Sequence, residues 1–347
     1  MGTDTNSVQL SNENVQSATQ STITLTPQKE EKDEEYNPFE HRKLSHPTST
    51  LGAFFHLLKS SLGSGILAMP AAFKNTGLIP GCIGTVLVGV IATHCVHILV
   101  STSRQSCKES KVGSLTYTDT CENVFKHGPR KLRPYSTHVS TAIFAMEGIN
   151  VVMPVENEMA KPQQFLGCPG VLNVTMIFVA TLYGIVGIFG YLRYGDGVLG
   201  SITLNLPQDE ILALTAKVLV AVAVFFTYCL QMYAPMDIIW TRIKSNIKKD
   251  YHNIGQIVLR SLSVLLSVIL AAAVPDLELL IGLVGAIFFS TLGLLIPTVV
   301  QTVFRWERGL GKYRYILWKN LLLLLFYLIV LISGCYSAIK EIVAKFR

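Results

Sequence analysis

Gly63-Ser64-Gly65-Ile66-Leu67-Ala68-Met69-Pro70 interrupts an apolar run at about 52–73 that is otherwise long enough to cross a bilayer. Three small residues precede a Met-Pro pair. Glycine leaves the backbone unrestrained, and proline removes an N–H donor, so both weaken a helix interior. A second stretch ends the same way: Glu147-Gly148-Ile149-Asn150-Val151-Val152-Met153-Pro154. Unwound backbone inside a membrane must be buried in protein or line a cavity. Its freed N–H groups attract a carboxylate, and its freed carbonyls attract an ammonium or a cation. For either stretch alone, close Gly/Ser packing against a neighbouring helix explains the composition equally well. The matched pair favours a binding site. The candidate binding residues are Gly63, Ser64, Gly65, Glu147, Gly148, Ile149 and Asn150.

The rest of the chain fits a membrane protein. Half of its 347 residues are apolar and 15% are charged, against roughly 25% in soluble domains. Mean hydropathy is +0.42. A hydrocarbon core of ~30 Å needs a helix of ~20 residues. Seven segments reach that length, at about 52–73, 78–100, 171–192, 211–236, 257–275, 279–304 and 320–339. An eighth apolar segment, 141–155, has only fifteen residues and contains Glu147, Gly148 and Pro154. It reads as a broken or re-entrant element extending to about 159. Residues 1–47 are rich in Ser, Thr, Asn, Gln and Glu, and are expected to form a disordered cytosolic tail ahead of a membrane domain at 48–347. No apolar signal-peptide core occurs in 1–50, so the first span is expected to target the chain to the membrane.

Charge sets the expected topology. Residues 1–50 hold 4 Lys/Arg against 8 Asp/Glu, so the basic excess lies between the apolar runs. Residues 104–133 hold seven Lys/Arg and three acids, 242–260 hold five and one, and 305–319 hold five and one. The positive-inside rule assigns such loops to the cytosol. With the N-terminus inside, all three agree only if 141–155 does not cross. The last span then leaves the mildly basic C-terminus outside.

The seven cysteines show no C-x-x-C pair, and neither a disulfide framework nor a zinc site is indicated. Nucleophile elbow, H-E-x-x-H, P-loop and dinucleotide-binding patterns are absent from the sequence, so no enzyme activity and no cofactor is expected.

Four stretches carry a family resemblance: HLLKSSLGSGILAMPAAFKNTG (56–77), AIFAMEGINVVMPVENEMAKPQQF (142–165), GYLRYGDGVLGSITLNLP (190–207) and LIGLVGAIFFSTLGLLIP (280–297). Over nearly all of 48–347 the chain resembles the proton-coupled amino acid transporter branch of the amino acid/auxin permease family. The resemblance implies an all-α, LeuT-like inverted-repeat fold of two sets of five helices plus one. Helices one and six would be broken around the substrate, and a proton would serve as the coupling ion. It also implies that this chain is shortened. The equivalents of helices three to five are missing between Ser140 and Thr141, so the first repeat is incomplete. An odd number of missing spans accounts for the cytosolic return of the later basic loops.

Individual polar residues follow. The resemblance makes His56, of the HLLK motif, the candidate proton-coupling residue. A histidine exchanges protons near neutral pH, and an interfacial hydrogen bond is the alternative role. Lys59 is expected to snorkel toward the headgroups. An intramembrane carboxylate such as Glu147 must be protonated, paired or hydrated. Glu156 and Glu158 are expected to pair with basic loop residues in a structural role. His94 and His97 lack a third metal ligand at helical spacing. Tyr228, Gln231 and Tyr233 are expected to bridge helices.

Two functional readings result. The first is a proton-coupled symporter of small neutral amino acids such as glycine, alanine and proline, in the plasma or the lysosomal/endosomal membrane. The second is a non-transporting variant that regulates or senses beside a full-length form, as a homo- or hetero-oligomer. Membrane lipid is the surrounding partner in both, and nucleic acid is not expected.

Overall fold

The computed structural model describes residues 36–42, 44, 47–63, 65–137, 139, 143, 151–273 and 277–346. Residues Asn37–Arg347 form one compact unit, and of the residues before it only Tyr36 is described. The described residues are helical throughout, apart from connecting turns and one isolated parallel bridge between Thr48 and Met159.

The first span is two helices, α1 (Thr50–Ser61) and α2 (Gly65–Thr76), bent by 55°. Ser49 caps α1 by accepting from the Gly52 N–H at 3.0 Å. α2 carries Pro70 inside it and buries Phe73. α3 (Leu78–Ser110) is a single long span. α4 (Tyr117–Lys126) is short and amphipathic, and opens on a capping box between Thr116 and Asp119. α5 (Val152–Asn157) is a short helix within the C-terminal part of the segment expected to be broken, 141–159. α6 (Val171–Tyr194), α7 (Ile211–Ile243) and α8 (His252–Ala273) are the next three spans.

The following span begins as α9 (Leu277–Val284). It passes through two π-helical stretches, Gly285–Phe289 and Thr291–Leu295, into α10 (Ile296–Trp306). The last span is α11 (Tyr315–Phe346). Among the described residues, six helices are long and apolar enough to cross a membrane, and the bent α1–α2 pair makes up to seven. They fall on the seven apolar segments read from the sequence. The chain is an integral membrane protein.

Glycines let α2 lie close along α6. A Cβ on Gly187 would stand 2.5 Å from the Phe73 ring, and one on Gly190 would stand 2.4 Å from Pro70. Both distances lie well inside van der Waals contact, so only glycine permits this approach. α7 and α8 join through a hydrogen bond between Tyr228 and Ser267 at 2.7 Å, and through an edge-on contact of Trp240 with His252. Tyr228 therefore bridges helices, as expected.

One end of the unit gathers polar segments that are distant in sequence. Arg308, just after α10, pairs with Glu109 of α3 and stacks on Phe304. Asn157 donates to the Leu115 carbonyl at 2.9 Å. The basic segments 104–133 and 305–319 therefore share this end. Segment 37–42, expected to belong to the disordered tail, is packed here as well. Pro38–His41 form a 3-10 turn, and the Arg42 side chain is 4% exposed. The physical reason is long-range: Arg42 finds its partners at Gly113 and Glu156, which composition alone cannot reveal.

Candidate functional site

α1 and α2 part at the small residues where the sequence placed the break. Leu62 closes the last helical hydrogen bond onto the Leu58 carbonyl at 2.9 Å, with non-helical dihedrals (φ −84°, ψ 55°). The α1 carbonyls beyond it have no helical N–H to accept. One of them, Ser61, is satisfied from another span: the Tyr183 hydroxyl on α6 donates to it at 2.8 Å. α2 then restarts at Gly65, with its first N–H groups at the positive end of its dipole.

A cavity of about 670 Å³ opens at this bend. Its polar side is built from Ser60, Ser61, Gly63, Gly65 and Tyr183. Val151 and Val152, which close the second interrupted stretch ahead of its Met-Pro pair, line it too. Val96, Met176, Ile281, Val284 and Phe289 form the apolar wall. A Cβ on Gly63 would meet nothing within 4 Å, whereas one on Gly65 would stand 3.3 Å from the Tyr183 oxygen. Gly63 thus faces open space, and Gly65 gives Tyr183 room to reach the break.

The structure brings Gly63 and Gly65 into one cavity, with Val151 and Val152 at its edge. Ser64, Glu147, Gly148, Ile149 and Asn150 lie outside the described residues. His56 is exposed on α1 and is not among the lining residues. Lys59 is exposed as well.

Three features were missed in the sequence. Tyr183 was hidden as one of four aromatic residues in the uncharged span 171–192, where Tyr191 carries the same polar tip. The apolar wall draws on spans far apart in sequence. The third feature is an ion cluster at the end of α5. Glu156 was expected to pair with a basic residue, and it does, but it is 1% exposed. Arg42 reaches both of its carboxylate oxygens, at 3.2 and 3.0 Å, and also its backbone carbonyl at 2.9 Å. Arg104 adds a contact at 3.0 Å. The Phe39 ring lies 5.0 and 5.2 Å from the two guanidinium carbons. Glu158 is exposed.

The π-helical stretches have their own support. A π-bulge disturbs the i→i−4 ladder. The Tyr117 hydroxyl of α4 donates to the Leu292 carbonyl within the second stretch, at 2.7 Å. Burial, with smaller contributions from Cys121 and Cys95, holds the Tyr117 hydroxyl well above its ordinary pKa, so it stays a donor. Burial likewise pushes the neighbouring Cys121 thiol up.

A bent span whose broken backbone borders a cavity, among helices long and apolar enough to cross a membrane, is an arrangement that suits a membrane transport protein. The chain belongs to the transmembrane amino acid transporter protein family, which it matches over residues 46–133 and 126–340. It is 32% identical over 420 residues to the proton-coupled amino acid transporter-like protein pathetic of Drosophila melanogaster, covering 90% of this chain and 89% of that protein. It is 27% identical over 219 residues to the probable amino acid transporter skat-1 of Caenorhabditis elegans, covering 60% of this chain and 47% of that protein. No solved structure matches significantly. The alignment to the fly protein is longer than this chain of 347 residues, so that relative carries segments without a counterpart here. The two matched family segments overlap at 126–133, a few residues before the Ser140–Thr141 junction.

Proposed function

We propose that this chain binds small neutral amino acids at the bend of the first span and carries them across the membrane together with protons. The observation that carries this reading is the shared cavity. Gly63 and Gly65, at the break, face the same space as Val151 and Val152 of the second interrupted stretch. The carbonyl end of α1 suits an ammonium, and the N–H end of α2 suits a carboxylate. A cavity of about 670 Å³ with an apolar wall takes a short side chain as well. His56, on the exposed side of α1, is the proposed proton-exchanging group, supported by the HLLK resemblance and by the name of the fly relative.

One observation favours the second reading. α3 and α6 border an open cleft of about 810 Å³ that contains His94, His97 and Asn173. His97 and Asn173 are hydrogen-bonded at 2.7 Å. Polar groups on a lipid-facing surface are costly, so this face suits a covering helix. In that reading the chain binds amino acids but works beside a longer form.

Uptake of radiolabelled glycine, alanine and proline, at acid and neutral pH, in cells expressing this chain alone decides between them. Proton-dependent uptake that is lost in His56→Ala supports the symporter. Normal membrane delivery with retained alanine binding but no uptake supports the non-transporting partner. Absence of both uptake and binding overturns the site.

A further inference from the structure

The bend of the first span has two chemically different ends, and one side chain stands between them. α1 ends at Ser61 with carbonyls directed onward, and α2 starts at Gly65 with N–H groups directed back. Tyr183 comes from neither helix. Its oxygen lies 2.8 Å from the Ser61 carbonyl and 3.3 Å from the position a Cβ on Gly65 would take. The same side chain lines the cavity beside Gly63. Its proton is committed, because a carbonyl can only accept. The phenolic oxygen is therefore left as an acceptor at the carbonyl end of the break.

We propose that Tyr183 receives the ammonium group of the bound amino acid, and so fixes which way the zwitterion lies in the cavity. The inference rests on the amino acid-binding reading above. The negative end of α1 and the phenolic lone pairs together favour a cation on one side, while the first N–H groups of α2 favour the carboxylate on the other. The bond from Tyr183 to Ser61 polarises the phenol and strengthens it as an acceptor. The side chain of the amino acid is directed to the wall formed by Val284 and Phe289. Tyr183 thus separates amino acids from carboxylic acids of the same shape that lack the amine.

The test compares alanine with propionate, which keeps the carboxylate and the carbon chain but has no ammonium. Purified full chain in lipid nanodiscs is titrated with radiolabelled alanine, and propionate is measured as a competitor. Both signals are normalised to the fraction of protein that elutes as a single sharp peak. In Tyr183→Phe the ring is kept and the oxygen is lost. The expected result is a loss of alanine affinity of about tenfold to a hundredfold, as for a hydrogen bond to a charged group, with propionate competition unchanged. An unchanged alanine-to-propionate ratio in Tyr183→Phe overturns the role of Tyr183, whether both affinities hold or both fall together. Failure of the wild-type chain to bind alanine instead overturns the underlying site.

Discussion

Arg42 and Glu156 form a buried ion pair across 114 residues of sequence, with their side chains 4% and 1% exposed. The pair joins the segment leading into α1 to the end of α5. A few residues on, Thr48 donates to the Glu158 carbonyl at 2.8 Å and accepts from Ala160 at 2.9 Å. α1 leads into the break at Gly63, and α5 begins at the end of the second interrupted stretch. The two elements that border the cavity are thus tied together at one end by a charge pair and a backbone bridge.

Removing one partner of a buried pair leaves the other charged and unpaired, at a cost of about 3–5 kcal/mol. Glu156→Gln strips the negative charge from two guanidiniums at once, and is expected to lower stability by about that amount. Arg42→Ala should lose less, because Arg104 still reaches Glu156 at 3.0 Å. Thermal unfolding of the purified protein, followed by loss of the monodisperse peak, measures both. The Arg308–Glu109 pair gives a contrast. Its side chains are 28% and 37% exposed, and Glu109→Gln should cost about 0–1 kcal/mol.

Tyr117→Phe tests the support of the π-helical stretch. The Leu292 carbonyl then loses a buried donor, and the expected destabilisation is about 1–3 kcal/mol. The pH dependence has a definite sign. The folded state holds the Tyr117 proton more tightly than the unfolded state, whose tyrosines titrate near ~10. The stabilisation from this residue is fully present below that value and is lost as pH rises from there through the raised folded value. The wild type should therefore keep its advantage over Tyr117→Phe up to about pH 10 and lose it only at more alkaline pH, as measured by unfolding midpoints.

The span positions were readable because each rests on a local run of apolar residues, which the bilayer demands of every crossing helix. The first break was readable for the same reason: Gly63 and Gly65 act on their own backbone, whereas α2 continues through Pro70. What joins distant segments was not. Nothing local to Arg42 signals Glu156, and nothing in the span around Tyr183 signals Ser61. Glu156 drew attention only as a charge beyond Pro154, where a water-facing position and a buried pair look alike in sequence. The tail boundary slipped for this reason too, since Phe39 and Arg42 are ordered by partners more than 60 residues away, at Arg104 and Gly113.

Packing of α2 on α6 gives a third prediction. A methyl at Gly187 would stand 2.5 Å from the Phe73 ring. Phe73 is 1% exposed and has little room to withdraw. Gly187→Ala is expected to cost about 1–3 kcal/mol through overpacking. Combining it with Phe73→Leu should recover part of the loss, because the smaller side chain yields space at the same contact. A double-mutant cycle on unfolding midpoints reads the coupling, and strictly additive losses would refute the contact.

The two glycines at the break should behave oppositely, and this separates cavity from scaffold. A methyl on Gly63 would have no atom within 4 Å, so Gly63→Ala should leave stability within about 0.5 kcal/mol of wild type. Gly63→Leu extends a branched side chain into the cavity of about 670 Å³. It should abolish alanine binding while the protein still elutes as a single peak. Gly65→Ala places its methyl 3.3 Å from the Tyr183 oxygen, tight enough to push the phenol off Ser61. It is expected to weaken alanine binding and leave propionate competition intact, as Tyr183→Phe does. Equilibrium binding of both ligands to the three variants is the measurement. Full alanine affinity in Gly63→Leu would show that the space beside the bend is not where the amino acid sits.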